Sequence, residues 1–169
     1  MKEFCIFDPN AEQTLAQEIK RHVTNPVYMC IGTDKVFSDS LGPKVGSLLN
    51  ENMEKPCFVY GLRKQNITAE NLVHCHQFIK QMHPNSQIVV VDAAVGTREQ
   101  IGKIQISHGG IIPGAATNKN LPSVGDVSIV GIVADKGMAD FYTLNSEKER
   151  LVNQVAQCIA KSILLSEVV

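Results

Sequence analysis

Three side chains that can transfer protons or bind a metal ion stand near the apolar runs of this 169-residue sequence, namely Asp39, Asp92 and His108. Asp92 directly follows Ile88–Val91, a run rich in β-branched residues and typical of a buried central strand. Open α/β sheets bind their ligands at the carboxyl ends of such strands. Asp39 stands in a polar loop after another apolar run, just before a predicted helix. This placement predicts one crevice that receives both carboxylates.

The two acids predict a particular chemistry if they meet. Two carboxylates held close together cannot both ionise cheaply, so the pKa of one rises and the pair divides into an acid and a base. Such a pair could activate a water molecule against an amide bond. With His108 as a third member, the set could instead hold a divalent metal through two oxygens and one nitrogen. A glycine-rich turn follows His108 and adds exposed backbone amides to this stretch.

Each of these residues also has a simpler structural interpretation. Asp39 could cap a helix or complement the helix dipole. Asp92 is harder to explain in this way, because an acid after a buried apolar run needs a partner, although loop amides could supply one. His108 could hydrogen-bond the turn that follows it, and the glycines there could serve positive φ angles. Residue types and spacing alone therefore predict a candidate crevice and leave its use open.

Composition narrows the class of protein. The net charge is −1 and the sequence has no basic run, which argues against a nucleic-acid surface. We find no apolar stretch that predicts a signal peptide or a membrane span, so we expect a cytoplasmic protein. The five cysteines are scattered and form no CxxC pair, which favours core positions over a metal or disulfide framework.

Strands and helices alternate along the chain, which predicts a mostly parallel sheet with helices on both faces. We expect a single α/β domain over residues 1–169. It is a three-layer α/β/α sandwich around a five-stranded sheet with one antiparallel strand, because the segments 88–92 and 101–107 are closely spaced. The predicted strands lie at 27–32, 57–60, 88–91, 101–107 and 124–133. The predicted helices lie at 10–23, from residue 40 or 41, from 68 to about 84, and across 151–164.

Several motifs, in order along the chain, resemble the YyaC-type sporulation proteins, which are often labelled spore proteases. The resemblance covers most of the chain from Val27 to the closing helix. Its motifs are CIGTD at 30–34, SDSLGP at 38–43, VDA at 91–93, PG at 113–114, LPSVGD at 121–126 and GIV at 131–133. That family is similar in turn to the spore germination protease and to the hydrogenase maturation endopeptidases. The resemblance implies a phosphorylase/hydrolase-like α/β/α fold of the maturation-protease type.

The resemblance also implies peptide-bond hydrolysis, with the two catalytic aspartates of the germination protease falling on Asp39 and Asp92. His108 departs from that enzyme, which has an acid at the matching position. In the maturation endopeptidases a histidine joins two acids in a metal-contacting set. The chain therefore combines features of both kinds of site.

Three hypotheses follow, and the first is a sporulation-associated endopeptidase of the cytoplasm. Asp92 would be its general base, Asp39 the proton-sharing partner, and His108 with the amides of Gly109, Gly110 and Gly114 would stabilise the oxyanion. Its substrate would be a protein or peptide, with small spore proteins suggested by analogy. The second hypothesis places a divalent metal at Asp39, Asp92 and His108. The third is a non-catalytic binding protein that keeps the crevice. The oligomeric state is left open.

Overall fold

The computed structural model describes residues 1–113 and 121–167, apart from the side chain of Met138. Its six strands form one sheet in the order β1-β5-β6-β4-β2-β3. The strands are β1 (Lys2–Cys5), β2 (Pro26–Cys30), β3 (Phe58–Tyr60), β4 (Gln87–Gly96), β5 (Lys103–His108) and β6 (Val127–Asp135). Strand β5 is antiparallel to both of its neighbours, and the other pairings are parallel. A single strand therefore runs against the rest, as the sequence predicts.

Five α-helices accompany the sheet in the described residues. They are α1 (Ala11–His22), α2 (Leu41–Asn52), α3 (Leu72–Met82), α4 (Met138–Phe141) and α5 (Ser146–Glu167). Short 3-10 helices at Ser38–Ser40 and Arg98–Gln100 complete the described helical structure. No helix in these parts of the chain has the length and apolar character needed to cross a membrane.

Alternation along the central strands divides the core between two faces. In β2, Tyr28 and Cys30 pack with α1, α2 and α5, whereas Val27 and Met29 pack with α3 on the other face. In β4, Val90 points to the α3 face. Helix α3 shares this face with residues of the connection before β6, such as Val124. The layers are unequal, because three helices cover one face and α3 with irregular chain covers the other.

The predicted fold class is confirmed, but the prediction of five strands is wrong. The sixth strand is β1. It was not predicted because it has only four residues, KEFC, and two of them are exposed, so it shows no apolar pattern. It pairs with the edge of β5, with Lys2 opposite Ile106 and Cys5 opposite Lys103. Pairing with a neighbour far along the chain, rather than a local hydrophobic pattern, specifies this strand.

The order of the strands creates a topological switch point between β2 and β4. From β2 the chain crosses through α2 to β3 at the sheet edge, and from β3 it returns through α3 to β4 on the other side of β2. The two crossovers cover opposite faces. Such a point leaves a crevice beyond the carboxyl ends of the two strands, which is where open α/β sheets bind ligands.

Candidate functional site

Asp92 lies at the switch point, inside β4 rather than at its end. The last residue of β2, Cys30, pairs with Val91, so Asp92 is the first β4 residue beyond the end of β2. On its other side Asp92 is still paired with Val130 of β6. Its side chain follows Ile88 and Val90 on the α3 face and is 6% exposed. The pleat of a buried strand thus turns a carboxylate into the crevice.

Asp39 reaches the same crevice because small residues let the chain fold tightly over the end of β2. After Ile31 the chain turns at Gly32, whose φ of 141° is unfavourable for other residues. The Thr33 amide then donates to the Asp39 carbonyl at 2.9 Å. A Cβ atom at Gly32 would lie 2.0 Å from that carbonyl oxygen, and one at Gly42 would lie 2.0 Å from the carbonyl oxygen of Ile31. Glycine is therefore required at both positions.

Both carboxylates line one pocket of about 450 Å³. Thr33, Thr68 and Tyr142 are its other polar lining residues in the described chain, where no lysine, arginine or histidine lines it. The apolar and glycine lining residues are Ile31, Gly32, Val36, Ala69, Ala93, Ala94, Val95, Ile111, Ile112, Pro113, Leu121, Val130 and Phe141. The acids therefore face a mostly apolar space without a neighbouring cation among the described lining residues.

This environment separates the two acids by their pKa values. Burial raises the pKa of Asp92 well above its ordinary range, and the nearby Asp39 carboxylate adds to the rise. The Ala93 amide, which donates to Asp92 Oδ1 at 2.8 Å, opposes it. Burial raises the pKa of Asp39 to about 6, against a smaller lowering by the Thr33 amide. The pair therefore titrates in two steps, and Asp92, the more deeply buried acid, is the one favoured to hold the proton.

The outer wall of the pocket comes from the segment after β6, which the sequence analysis does not assign to the site. Phe141 and Tyr142 line the pocket. Asp140 fixes this segment, since its Oδ2 accepts from the Asp135 amide at 2.7 Å and from Lys148 Nζ at 3.0 Å. The position of this segment in the sequence could have predicted its role, because segments that follow parallel strands gather at the same edge of the sheet.

His108 does not meet the two acids. It is the last residue of β5, and because β5 is antiparallel it pairs with Val127 at the amino end of β6. Asp92 pairs further along β6, with Val130. His108 instead contacts His22, with Nε2 of the former 2.9 Å from Nδ1 of the latter. The expected set of two acids and one histidine is thus corrected to a pair of acids.

Of the three glycines expected to bind an oxyanion, the two in the described chain, Gly109 and Gly110, do not line the pocket. Gly109 donates its amide to the carbonyl of Asp126 at 2.7 Å. Gly110 packs against Ser123, whose hydroxyl would lie 2.4 Å from an added Cβ atom. Gly114 lies outside the described residues. The turn is used to bring Ile111, Ile112 and Pro113 to the pocket wall.

Because His108 lies away from the acids, the metal hypothesis has only two of its three expected ligands, Asp39 and Asp92. Within 1–113 and 121–167, no group of three or more histidine, cysteine or acidic residues is placed to hold a metal ion. Asp34, which precedes Asp39 in the same loop, is engaged elsewhere. Its Oδ2 accepts from the Lys64 amide at 2.8 Å and from Asn66 at 2.9 Å, which lowers its pKa. Asp34 therefore holds a neighbouring loop in place.

Comparison with known proteins places the chain in a family. The model of the family described as "Protein of unknown function (DUF1256)" matches residues 4–162. The chain belongs to this family. This DUF1256 protein is 34% identical over 154 residues to the Bacillus subtilis protein YyaC, covering 90% of this chain and 75% of that relative. The predicted resemblance to YyaC-type proteins is confirmed.

Among solved structures, the DUF1256 protein is similar to the NiFe hydrogenase maturation protease HycI from Thermococcus kodakarensis. The TM-score is 0.54 at 18% sequence identity, over 87% of this chain and 97% of that one. The likeness establishes the fold. The predicted maturation-protease type of α/β fold is confirmed, with a mixed sheet of six strands.

Proposed function

We propose that this DUF1256 protein is an endopeptidase that hydrolyses peptide bonds with the pair Asp39 and Asp92. The observation that carries the proposal is the placement of two desolvated carboxylates in one pocket at the switch point, with pKa values raised to different extents. An acid without a cationic partner is costly to bury, and sites with such pKa shifts are often catalytic. The maturation-protease fold is consistent with this activity.

The burial of the two acids favours a division of roles opposite to the one expected from the sequence. Asp39, with a pKa of about 6, is ionised at neutral pH and acts as the general base on the attacking water. Asp92 keeps its proton and donates a hydrogen bond to the carbonyl oxygen of the substrate as negative charge develops there. When the tetrahedral intermediate collapses, the proton taken up by Asp39 passes to the leaving amine.

The walls of the pocket indicate the class of substrate. Apart from the two acids, the walls in the described chain carry apolar side chains, two threonines and a tyrosine and no cation, so they favour a peptide with uncharged, apolar side chains beside the scissile bond. Ile112 and Tyr142 are exposed at 59% and 54%, which lets them contact a bound peptide on the outside. A protein or peptide of the sporulating cell, such as a small spore protein, is the substrate we propose by analogy.

Mass spectrometry of a peptide mixture and of a spore-protein extract tests this proposal. Wild type, Asp92→Asn and Asp39→Asn are incubated with each substrate, with and without a chelator. We expect cleavage by wild type, insensitive to the chelator, at bonds flanked by apolar residues, and none by either variant. Equal cleavage by wild type and Asp92→Asn would contradict the proposal. If wild type binds spore proteins without cutting them, the third hypothesis, a binding protein, replaces it.

A further inference from the structure

His22 and His108 meet at the end of the sheet opposite the acid pair. His22 ends α1 and His108 ends β5, and their rings lie edge to face with centroids 4.3 Å apart and planes at 88°. Nδ1 of His22 faces Nε2 of His108 at 2.9 Å. The His22 side chain is 34% exposed and His108 is exposed, so solvent reaches the pair. Two ring nitrogens therefore lie within hydrogen-bond distance of each other at a place that solvent reaches.

A buried carboxylate fixes the ring of His22 from behind. Glu18 lies one turn earlier on α1, is 5% exposed, and its Oε1 is 2.8 Å from Nε2 of His22. An ionised carboxylate only accepts hydrogen bonds, so Nε2 of His22 carries the proton and Nδ1 presents a lone pair toward His108. Metal-binding histidines are commonly oriented in this way, with the far nitrogen donating to a carboxylate.

We propose that His22 and His108 bind a divalent transition metal, Ni²⁺ or Cu²⁺, through His22 Nδ1 and His108 Nε2. Two nitrogens 2.9 Å apart, each about 2.0–2.1 Å from a metal, subtend an angle of about 90°. This angle suits neighbouring positions of a tetragonal or octahedral ion better than a tetrahedral one. The metal takes the place of the proton between the two rings, that proton moves to Nδ1 of His108, and water fills the other positions.

The cations around Glu18 are consistent with a metal site whose protein ligands are the two imidazoles. Lys2 Nζ is 2.6 Å from Glu18 Oε2, and an Arg21 nitrogen is 3.5 Å from the same oxygen. These cations occupy the oxygen that faces away from His22 and offset the charge of the carboxylate. Glu18 therefore orients His22 rather than coordinating the metal itself.

Isothermal titration calorimetry of the tag-free protein with NiCl₂ and with CuCl₂ tests the site. Wild type should bind one equivalent of metal. His22→Gln and His108→Gln should each weaken binding at least tenfold. Glu18→Gln should weaken it by about 10–100-fold at unchanged stoichiometry, as second-shell changes do. His74→Gln, an exposed histidine of α3, serves as the matched control and should bind as wild type does.

Three results would overturn the proposal. The first is the absence of metal binding by wild type. The second is wild-type affinity in His22→Gln and His108→Gln. The third is loss of binding in Asp92→Asn, which would locate the metal at the acid pair. Circular dichroism of each variant shows that it is folded. Electron paramagnetic resonance of the Cu²⁺ form should show nitrogen ligands that disappear in the His22→Gln/His108→Gln double variant.

Discussion

Two acids of this protein expose nearly the same small fraction of their surface to solvent, but Asp92 lies far deeper in the fold than Glu18. Glu18 on α1 is 5% exposed and Asp92 on β4 is 6% exposed. Glu18 contacts Lys2, Arg21 and His22, and its pKa is lowered, chiefly by the hydrogen bond from Lys2. Asp92 accepts from the Ala93 amide and has another acid as its charged neighbour, and its pKa is raised.

The difference shows that exposed surface alone does not indicate the role of an acid, which depends on its depth in the fold and on its charged partners. A carboxylate surrounded by cations is stabilised in its charged form and joins elements of the fold, as Glu18 joins α1 to β1 through Lys2. A carboxylate desolvated beside a second acid costs stability, and folded proteins retain such costs mainly where they serve function. No ion pair among the described residues includes Asp39 or Asp92.

The largest expected effect is on catalysis. Asp92→Asn should lower kcat/KM for a cleaved peptide by at least about 10²-fold, because it removes the group that carries the shared proton. Glu18→Gln should change kcat/KM by no more than about twofold, since it lies at the other end of the sheet. Steady-state kinetics on both variants compare the two acids, and similar losses in both would break the contrast drawn between them.

The second-largest expected effect is on stability, at the glycines that let the chain bring Asp39 to the pocket. Gly42→Ala should destabilise the protein by about 1–3 kcal/mol, since its Cβ atom meets a backbone oxygen that cannot move aside easily. Gly137→Ala is the control, because nothing lies within 4 Å of an added Cβ atom there. Urea unfolding measures both changes, and cleavage assays should show a loss for Gly42→Ala only. Unchanged stability in Gly42→Ala would contradict the close approach of α2 to β2.

Stability should respond to pH with opposite signs in the two regions. The folded pKa of Asp39, about 6, lies above its ordinary value of 3.8, so its favourable contribution is complete below 3.8 and lost as pH rises through 6. Asp39→Asn should therefore melt a few degrees above wild type at pH 7.5 and level with it near pH 3.5. For Glu18 the lowered pKa gives a contribution present above its ordinary value of 4.5 and lost in acid.

Glu18→Gln should consequently melt below wild type at pH 7.5, with the deficit shrinking as the pH falls below 4.5. Differential scanning calorimetry of the three proteins across this range makes the comparison. A lower melting temperature for Asp39→Asn at pH 7.5 would show that the Asp39 carboxylate is stabilised rather than strained by its surroundings.

The rate of cleavage should also depend on pH in a way that identifies the base. With Asp39 as the base, kcat/KM rises as the pH increases through about 6. It falls again at higher pH, where Asp92 loses its proton. A profile of kcat/KM against pH for wild type measures both limbs. A rate that is highest below pH 5 would contradict the assignment of Asp39 as the ionised partner.

Much of the fold and the position of the acid pair could be predicted from the sequence, because both depend on local patterns. The apolar run before Asp92 and the alternation of strands with helices locate the switch point. The prediction that His108 joins the acid pair is wrong, because closeness to Asp92 along the chain does not bring the two residues together in the fold. The antiparallel direction of its strand, itself predicted, carries it to the opposite end of the sheet.

The features that could not be predicted depend on contacts between residues distant in sequence. His22 and His108 are separated by 86 positions, and no motif in either segment predicts their contact. Burial also decided the roles of Asp39 and Asp92, since residue type alone gives both acids the same ordinary pKa. Such differences in pKa arise only when folding has assembled the walls of the pocket around the two acids.

The central claim, that Asp39 and Asp92 share one proton in a pocket whose described lining residues include no cation, is tested most directly by carboxyl carbon NMR titration. In wild type, Asp39 should titrate near pH 6 and Asp92 well above the ordinary range of an aspartate. Asp39→Asn should lower the pKa of Asp92, because a neighbouring charge is removed, whereas Asp92→Asn should leave the pKa of Asp39 near 6. Titration of both carboxyls close to 3.8, unaffected by either substitution, would contradict the account.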